Sequence, residues 1–195
     1  MVCVYRKDGG MEGKPIVLIV GESGSGKSTI CNYLSETYGL KELKSYTTRP
    51  KRNENDTSHT FVSQTEFNTV AKDAVAYTRF DGYEYCASVQ QVDESDLYVI
   101  DMDGVRTLLE CYKGKRVPYV VYIKTDGLDR VENMIRRGDN WSDAMRRVEH
   151  DKAAFKDVND YAMYAYENRI DDYKSVKKIG DSIYNEFFKT NKEKE

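Results

Sequence analysis

Pro15-Ile16-Val17-Leu18-Ile19-Val20 runs without a break into Gly21-Glu22-Ser23-Gly24-Ser25-Gly26-Lys27-Ser28-Thr29, joining an apolar, β-branched stretch to a glycine-rich loop. The first six residues predict a buried strand. Beyond the loop, Ile30, Leu34 and Tyr38 recur at four-residue spacing and Gly39 stands where a helix should end, so 27–38 reads as a helix. Strand, loop and helix are the context that G-x-x-x-x-G-K-[ST] requires. Glycines let the main chain wrap phosphate oxygens with its N–H groups inward, and the helix adds the positive end of its dipole. Gly21, Ser23, Gly24, Ser25, Gly26, Lys27, Ser28 and Thr29 are therefore the expected cradle for the phosphates of ATP. Lys27 should reach the β- and γ-phosphates, and Ser28 should ligate Mg²⁺.

Outward from this motif, apolar stretches alternate with helical spacing. Leu43 to Thr48, Leu97 to Asp101, Val117 to Ile123 and Ala162 to Tyr166 predict further strands. Ser63-Gln64-Thr65-Glu66 is a capping box opening a short helix through Phe67 and Val70. Aromatic and β-branched residues between Ala74 and Ala87 flank Asp81-Gly82, predicting two antiparallel strands and a turn. Helices follow through Val105, Leu108 and Leu109, then through Leu128, Val131, Met134 and Ile135 as one apolar face ended by Gly138. A charged helix spans Ser142 to Phe155, and Ile179, Ile183 and Phe187 mark a closing helix. The alternation predicts an α/β fold, a three-layer P-loop arrangement with a parallel central sheet and a small antiparallel insertion. Residues 1–14 read as a leader and 191–195 as a frayed tail.

The 195 residues suffice for one core domain. A net charge of -3 with 32% charged residues gives no overall reason to bind nucleic acid or an anionic membrane, so anion binding must be local. No apolar run approaches the roughly 20 residues that span a bilayer. Cys3, Cys31, Cys86 and Cys111 are scattered, which fits free thiols in a reducing cytoplasm.

Asp101 ends an apolar run, as a Walker B acid does, and has two readings: a water-bridged Mg²⁺ ligand or a turn or helix-capping residue. Ser45-Tyr46-Thr47-Thr48-Arg49-Pro50-Lys51-Arg52 sets two arginines three apart beside hydroxyls, either a fork for a second phosphate or a solvated basic turn.

The order P-loop, S-x-T-T-R-P-x-R, Phe61-Val62-Ser63 with Glu66-Phe67, a tyrosine-bearing turn, I-D-x-x-G and Arg137-Gly138 before a charged helix resembles the guanylate kinase family over roughly 15–190. The resemblance implies a core (15–44 and 94–190), a nucleoside-monophosphate-binding subdomain near 45–93 and a helical lid near 136–150. It implies transfer of the ATP γ-phosphate to a nucleoside monophosphate by a cytoplasmic monomer or homodimer. By position, Arg49 and Arg52 would bind the acceptor phosphate with Tyr85 completing the grip. Ser45 would approach the base, and Arg137 and Arg147 would neutralise the phosphoryl group in flight.

The chain departs from that family on the base side. His59 stands where the family has tyrosine, the 53–58 loop is shorter, Tyr85-Cys86-Ala87 replaces Y-G-[ST], and Ala76 and Val99 occupy guanine-reading acidic positions. Glu84 and Asp81 are the nearby acids available as substitutes. A guanine N–H left without an acceptor costs about 1–3 kcal/mol, enough to relax guanine preference. Two rivals remain at this stage: a non-catalytic guanylate-kinase-like binding module, and a P-loop kinase of another small molecule.

Overall fold

A computed structural model describes residues 13–169 and 172–189, so most of the expected leader and the whole of the 191–195 tail lie outside the described residues. Strand β1 (Lys14–Val20) pairs in parallel with both β6 (Leu97–Val99) and β7 (Arg116–Lys124), and β7 pairs in parallel with β8 (Tyr164–Glu167). The sheet order is β6-β1-β7-β8. Because successive strand side chains alternate in direction, β1 supplies two cores. Ile16, Leu18 and Val20 face Val105 and Leu108 of α4 (Met102–Cys111), with Phe155 and Val158 beyond. Val17 and Ile19 face Ile30 and Leu34 of α1 (Lys27–Tyr38) and Val176, Ile179 and Ile183 of α8 (Tyr173–Phe187). Three layers follow from one period-two run.

The second sheet has the order β3-β2-β5-β4, from β2 (Tyr46–Thr47), β3 (Thr60–Phe61), β4 (Ala74–Phe80) and β5 (Tyr83–Ser88). β4 and β5 are antiparallel about the Asp81-Gly82 turn, as the sequence predicts. The capping box also forms: Ser63 Oγ accepts from the Glu66 N–H, and the Ser63 N–H donates to Glu66, opening α2 (Gln64–Val70). Two short helices, α3 (Val89–Asp93) and α7 (Val158–Tyr161), complete the connections. Helices α5 (Gly127–Arg136) and α6 (Trp141–Ala154) contain or flank the 136–150 segment expected to form a lid.

Two elements differ from the expectation. The 43–48 strand contracts to Tyr46–Thr47, because Leu43 turns its N–H to the Leu97 carbonyl at 2.8 Å instead of the second sheet. Leu128 is 81% exposed at the start of α5, and its place on the inner face is taken by Arg130, 6% exposed, beside Val131 and Met134. Leu34→Ala, which empties the α1 side of the second core, should lower stability by about 2–5 kcal/mol in chemical denaturation.

Candidate active site

Gly24 and Gly26 have φ of 81° and 88°, a left-handed conformation that side-chained residues rarely adopt. The loop is also packed tightly from outside. A Cβ on Gly24 would stand 2.4 Å from the Arg130 carbonyl oxygen, and one on Gly26 2.5 Å from Asn168 Nδ2. Its carbonyls are tied into the protein: Asn133 Nδ2 donates to Gly24 O at 2.8 Å, and Thr125 Oγ1 and Asn168 Nδ2 donate to Ser25 O at 3.2 and 3.0 Å. With these acceptors engaged behind the loop, the Ser23 N–H taken by Asp151 and the Ser25 N–H by the Glu22 carbonyl, the donors left for an anion are the first amides of α1, which lack intrahelical partners. Lys27 Nζ donates to Gly21 O at 2.6 Å and Glu22 O at 3.0 Å. Burial lowers its pKa to about 8, with Asp151 and Glu22 opposing and Arg137 and Arg130 adding to the shift. Lys27 therefore stays a cation at neutral pH.

Across the cleft, arginines from three segments share one field. Burial, then the charges of Arg49, Arg137 and Arg147, hold the Arg52 guanidinium below its ordinary value, with Asp139 opposing. Among the described residues no ion pair is formed by Arg52. Arg49 is more committed: it donates to Asp56 at 3.1 Å, Ser58 at 3.2 Å and Pro50 O at 2.9 Å, and lies over the Phe61 ring. Against the effect of its burial, the Ser58 hydroxyl, the Arg52 and Ser58 amides and then Arg49 hold Asp56 well below the usual carboxylate range. Arg147 lies over Phe80, 3.8 Å from Asp81 and 3.9 Å from Asp139, and its buried Nε has no hydrogen-bond partner. Arg137 pairs with Asp139. Arg49, Arg52, Tyr85 and Arg147 line one pocket. Burial raises the Tyr85 pKa, while Arg49 and Thr47 oppose.

A neighbouring cavity brings Gly21, Ser23 and Lys27 together with Ser45, His59, Tyr85 and Asp101. Ser28 opens instead onto an adjoining cavity with Arg52, His59 and Arg137. Asp101 is the N-cap of α4: its Oδ1 accepts the Gly104 N–H at 2.7 Å, and Thr78 also bonds the carboxylate. Burial raises the Asp101 pKa in spite of those bonds and of Lys27. Ser45 Oγ and His59 Nδ1 are 3.0 Å apart. Ala76 is buried in the core, and Val99 borders both cavities without offering a polar atom from its side chain. Glu84 accepts from Tyr77 and Gln64 at 2.7 Å each, and Asp81 is bound by Arg146, so neither acid lines the cavity beside Ser45.

A family model described as guanylate kinase matches residues 12–185. The chain belongs to the guanylate kinase family. A guanylate kinase from Clostridium tetani (strain Massachusetts / E88) is 24% identical over 165 residues, covering 80% of this chain and 78% of that protein. The crystal structure of guanylate kinase from Anaplasma phagocytophilum matches with a TM-score of 0.59 and 20% identity, over 92% of this chain and 89% of that one. Membership makes this chain a nucleoside monophosphate kinase and does not favour a binding module or a kinase of an unrelated small molecule. No helix among the described residues is long and apolar enough to cross a membrane.

Sequence reasoning missed the residues that hold this guanylate kinase family member's phosphate loop from behind: Thr125, Arg130, Asn133, Asp151 and Asn168. One signal was available. Asp151 lies seven residues after Ala144 and four before Phe155, on the buried stripe of α6.

Burial and the positive charges of Arg49 and Arg52 lower the His59 pKa from 6.5 to about 4, with Asp56 opposing. Protonation therefore favours the unfolded chain. The His59 contribution to stability should be complete above pH 6.5 and be lost as pH falls from there toward about 4. His59→Asn should flatten the pH dependence of the urea midpoint across that window.

Proposed function

We propose that this guanylate kinase family member transfers the γ-phosphate of ATP to a nucleoside or deoxynucleoside monophosphate with only weak preference for guanine. The observation that carries this reading is the facing of two anion sites. Loop 21–29 presents amides and Lys27, and opposite it Arg49, Arg52, Arg137 and Arg147 share one field in which Arg52 has no ion-pair partner among the described residues.

In this reading Gly21 to Thr29 hold the ATP phosphates. Arg52 and Arg49, with Tyr85, hold the acceptor phosphate, Arg49 doing so from a guanidinium already ordered by Asp56 and Ser58. Arg137 and Arg147 offset the charge of the transferring group. No side chain need act as a general base, since positioning and charge neutralisation account for most of the acceleration in phosphoryl transfer. Arg146 reaches from α6 to Asp81 on the β4–β5 turn at 2.5 and 3.1 Å, joining the two walls of the cleft that must exclude water.

We assign Mg²⁺ to Ser28 and Asp101, which line adjoining cavities. Asp101 is a buried carboxylate whose pKa is raised, so a nearby cation would offset its burial, and Mg²⁺ commonly takes one or two carboxylates plus phosphate oxygens. Ser28 would hold the ion with Asp101 in the surrounding layer, and the ion would supply charge neutralisation. Ser45 and His59 would face the base. His59 is neutral, and Ala76 and Val99 offer no carboxylate to a guanine N–H. We place the activity in the cytoplasm, in a monomer or homodimer.

Lys27→Ala should reduce kcat by about 100-fold or more while the circular dichroism spectrum stays unchanged. An unchanged kcat would remove the assignment. In a coupled assay over GMP, dGMP, AMP, CMP, UMP and dTMP, GMP should exceed the next best acceptor in kcat/KM by roughly tenfold or less. Sharp selectivity for GMP alone would refute the reading of the altered base side.

A further inference from the structure

The helices that carry Arg137 and Arg147 toward the cleft are fastened, at their inner faces, to the phosphate loop. Asp151 of α6 is 4% exposed, and its Oδ2 accepts the Ser23 N–H at 2.7 Å, with Ser23 Oγ 3.5 Å from Oδ1. Arg130 of α5 places Nη1 3.4 Å from the same Asp151 oxygen and 3.9 Å from Glu22 Oε1, which also accepts the Tyr122 hydroxyl at 3.0 Å. The Arg130 carbonyl backs directly onto Gly24, and Asn133, one turn along α5, bonds the Gly24 carbonyl. Residues 22, 23 and 24 are thus each gripped by a lid helix. The network is not closed: Arg130 Nε and Glu22 Oε2 are buried with no hydrogen-bond partner.

A buried ion pair is a weak source of net stability compared with a well-packed apolar pair, but it fixes direction, because each charge tolerates few partner geometries. Here the direction fixed is that of the Glu22–Ser23 peptide, one unit before Gly24, the residue whose left-handed turn redirects the chain. We propose that Asp151, oriented by Arg130, is a positioning residue that sets the conformation of the phosphate loop and couples it to the lid helices. This rests on the reading of loop 21–29 as the ATP site. Asp151 borders the cavity that Ser23 and Lys27 share with Ser45 and Tyr85, and its carboxylate is directed at Ser23 and Arg130. It acts through Ser23, so its effect should fall on ATP and spare the monophosphate.

The test is Asp151→Ala and Asp151→Asn in the full chain, with Kd for Mg-ATP by calorimetry, KM for both substrates, and hydrogen exchange of the 21–28 segment. Asp151→Ala should raise Kd and KM for ATP about tenfold, and leave the monophosphate KM within about twofold. Exchange in the loop should quicken while β1 and β7 stay protected. Asp151→Asn keeps an acceptor for the Ser23 amide but loses the charge facing Arg130, and should raise the ATP Kd roughly threefold. If Asp151→Ala does not fold, the Asn variant decides by the same readouts. Wild-type ATP affinity and loop exchange in the folded variants would overturn the proposal, as would equal losses for both substrates. Affinity and exchange are read without turnover. A wild-type protein that binds Mg-ATP yet phosphorylates no monophosphate would therefore sink the kinase reading and leave this one standing.

Discussion

A loop that binds polyphosphate must point its N–H groups one way and its carbonyls the other, and the carbonyls then need partners of their own. Around residues 21–26 the carbonyls have such partners. Asn133 takes the Gly24 carbonyl, and Thr125 and Asn168 share that of Ser25. These donors come from α5 and from the residues that follow β7 and β8, so the loop can form only when the parallel sheet and the lid helix are both in place. Glycine at 24 and 26 is imposed twice, by backbone conformation and by how closely Arg130 and Asn168 approach.

The second constraint is electrostatic. A chain of net charge -3 collects Arg49, Arg52, Arg137 and Arg147 within one another's fields, an arrangement unfavourable to itself that a bound anion would relieve. Asp56 offsets part of this charge at Arg49, Asp139 at Arg137 and Arg147, and Asp81 at Arg147. Arg49 is held by loop 50–58, Arg147 by the aromatic face of Phe80, and Arg52 by neither. The result is a site whose cations are positioned before a ligand arrives, which lowers the entropy lost on binding.

The proposed phosphate side and the proposed base side of the cleft stand in contrast. Phosphate recognition uses backbone amides and guanidinium groups, which need only charge and reach. Base recognition needs a specific acceptor at a specific edge. Asp101, the buried acid nearest that role, is engaged with the Gly104 amide and Thr78, while Ala76 has withdrawn into the core.

The layered fold was legible in the sequence because its causes are local. The alternation of Ile16 to Val20 sends residues to two cores, the spacing of Ile30, Leu34 and Tyr38 makes a helix face, and Ser63 with Glu66 closes a capping box. The turn at Gly24 and Gly26 was legible for the same reason, since glycine spacing encodes backbone conformation. Burial of a charge is not local. Arg130 and Asp151 are ordinary members of charged helices until α5 and α6 fold against the loop, and Leu128 looks like a core residue until the helix start proves solvated. The primary structure thus determined the layers and the glycine turn between β1 and α1. Only tertiary packing decided which charges brace the loop, which of the cleft arginines lacks an ion pair among the described residues and which acid caps a helix, because those outcomes depend on partners distant in the chain.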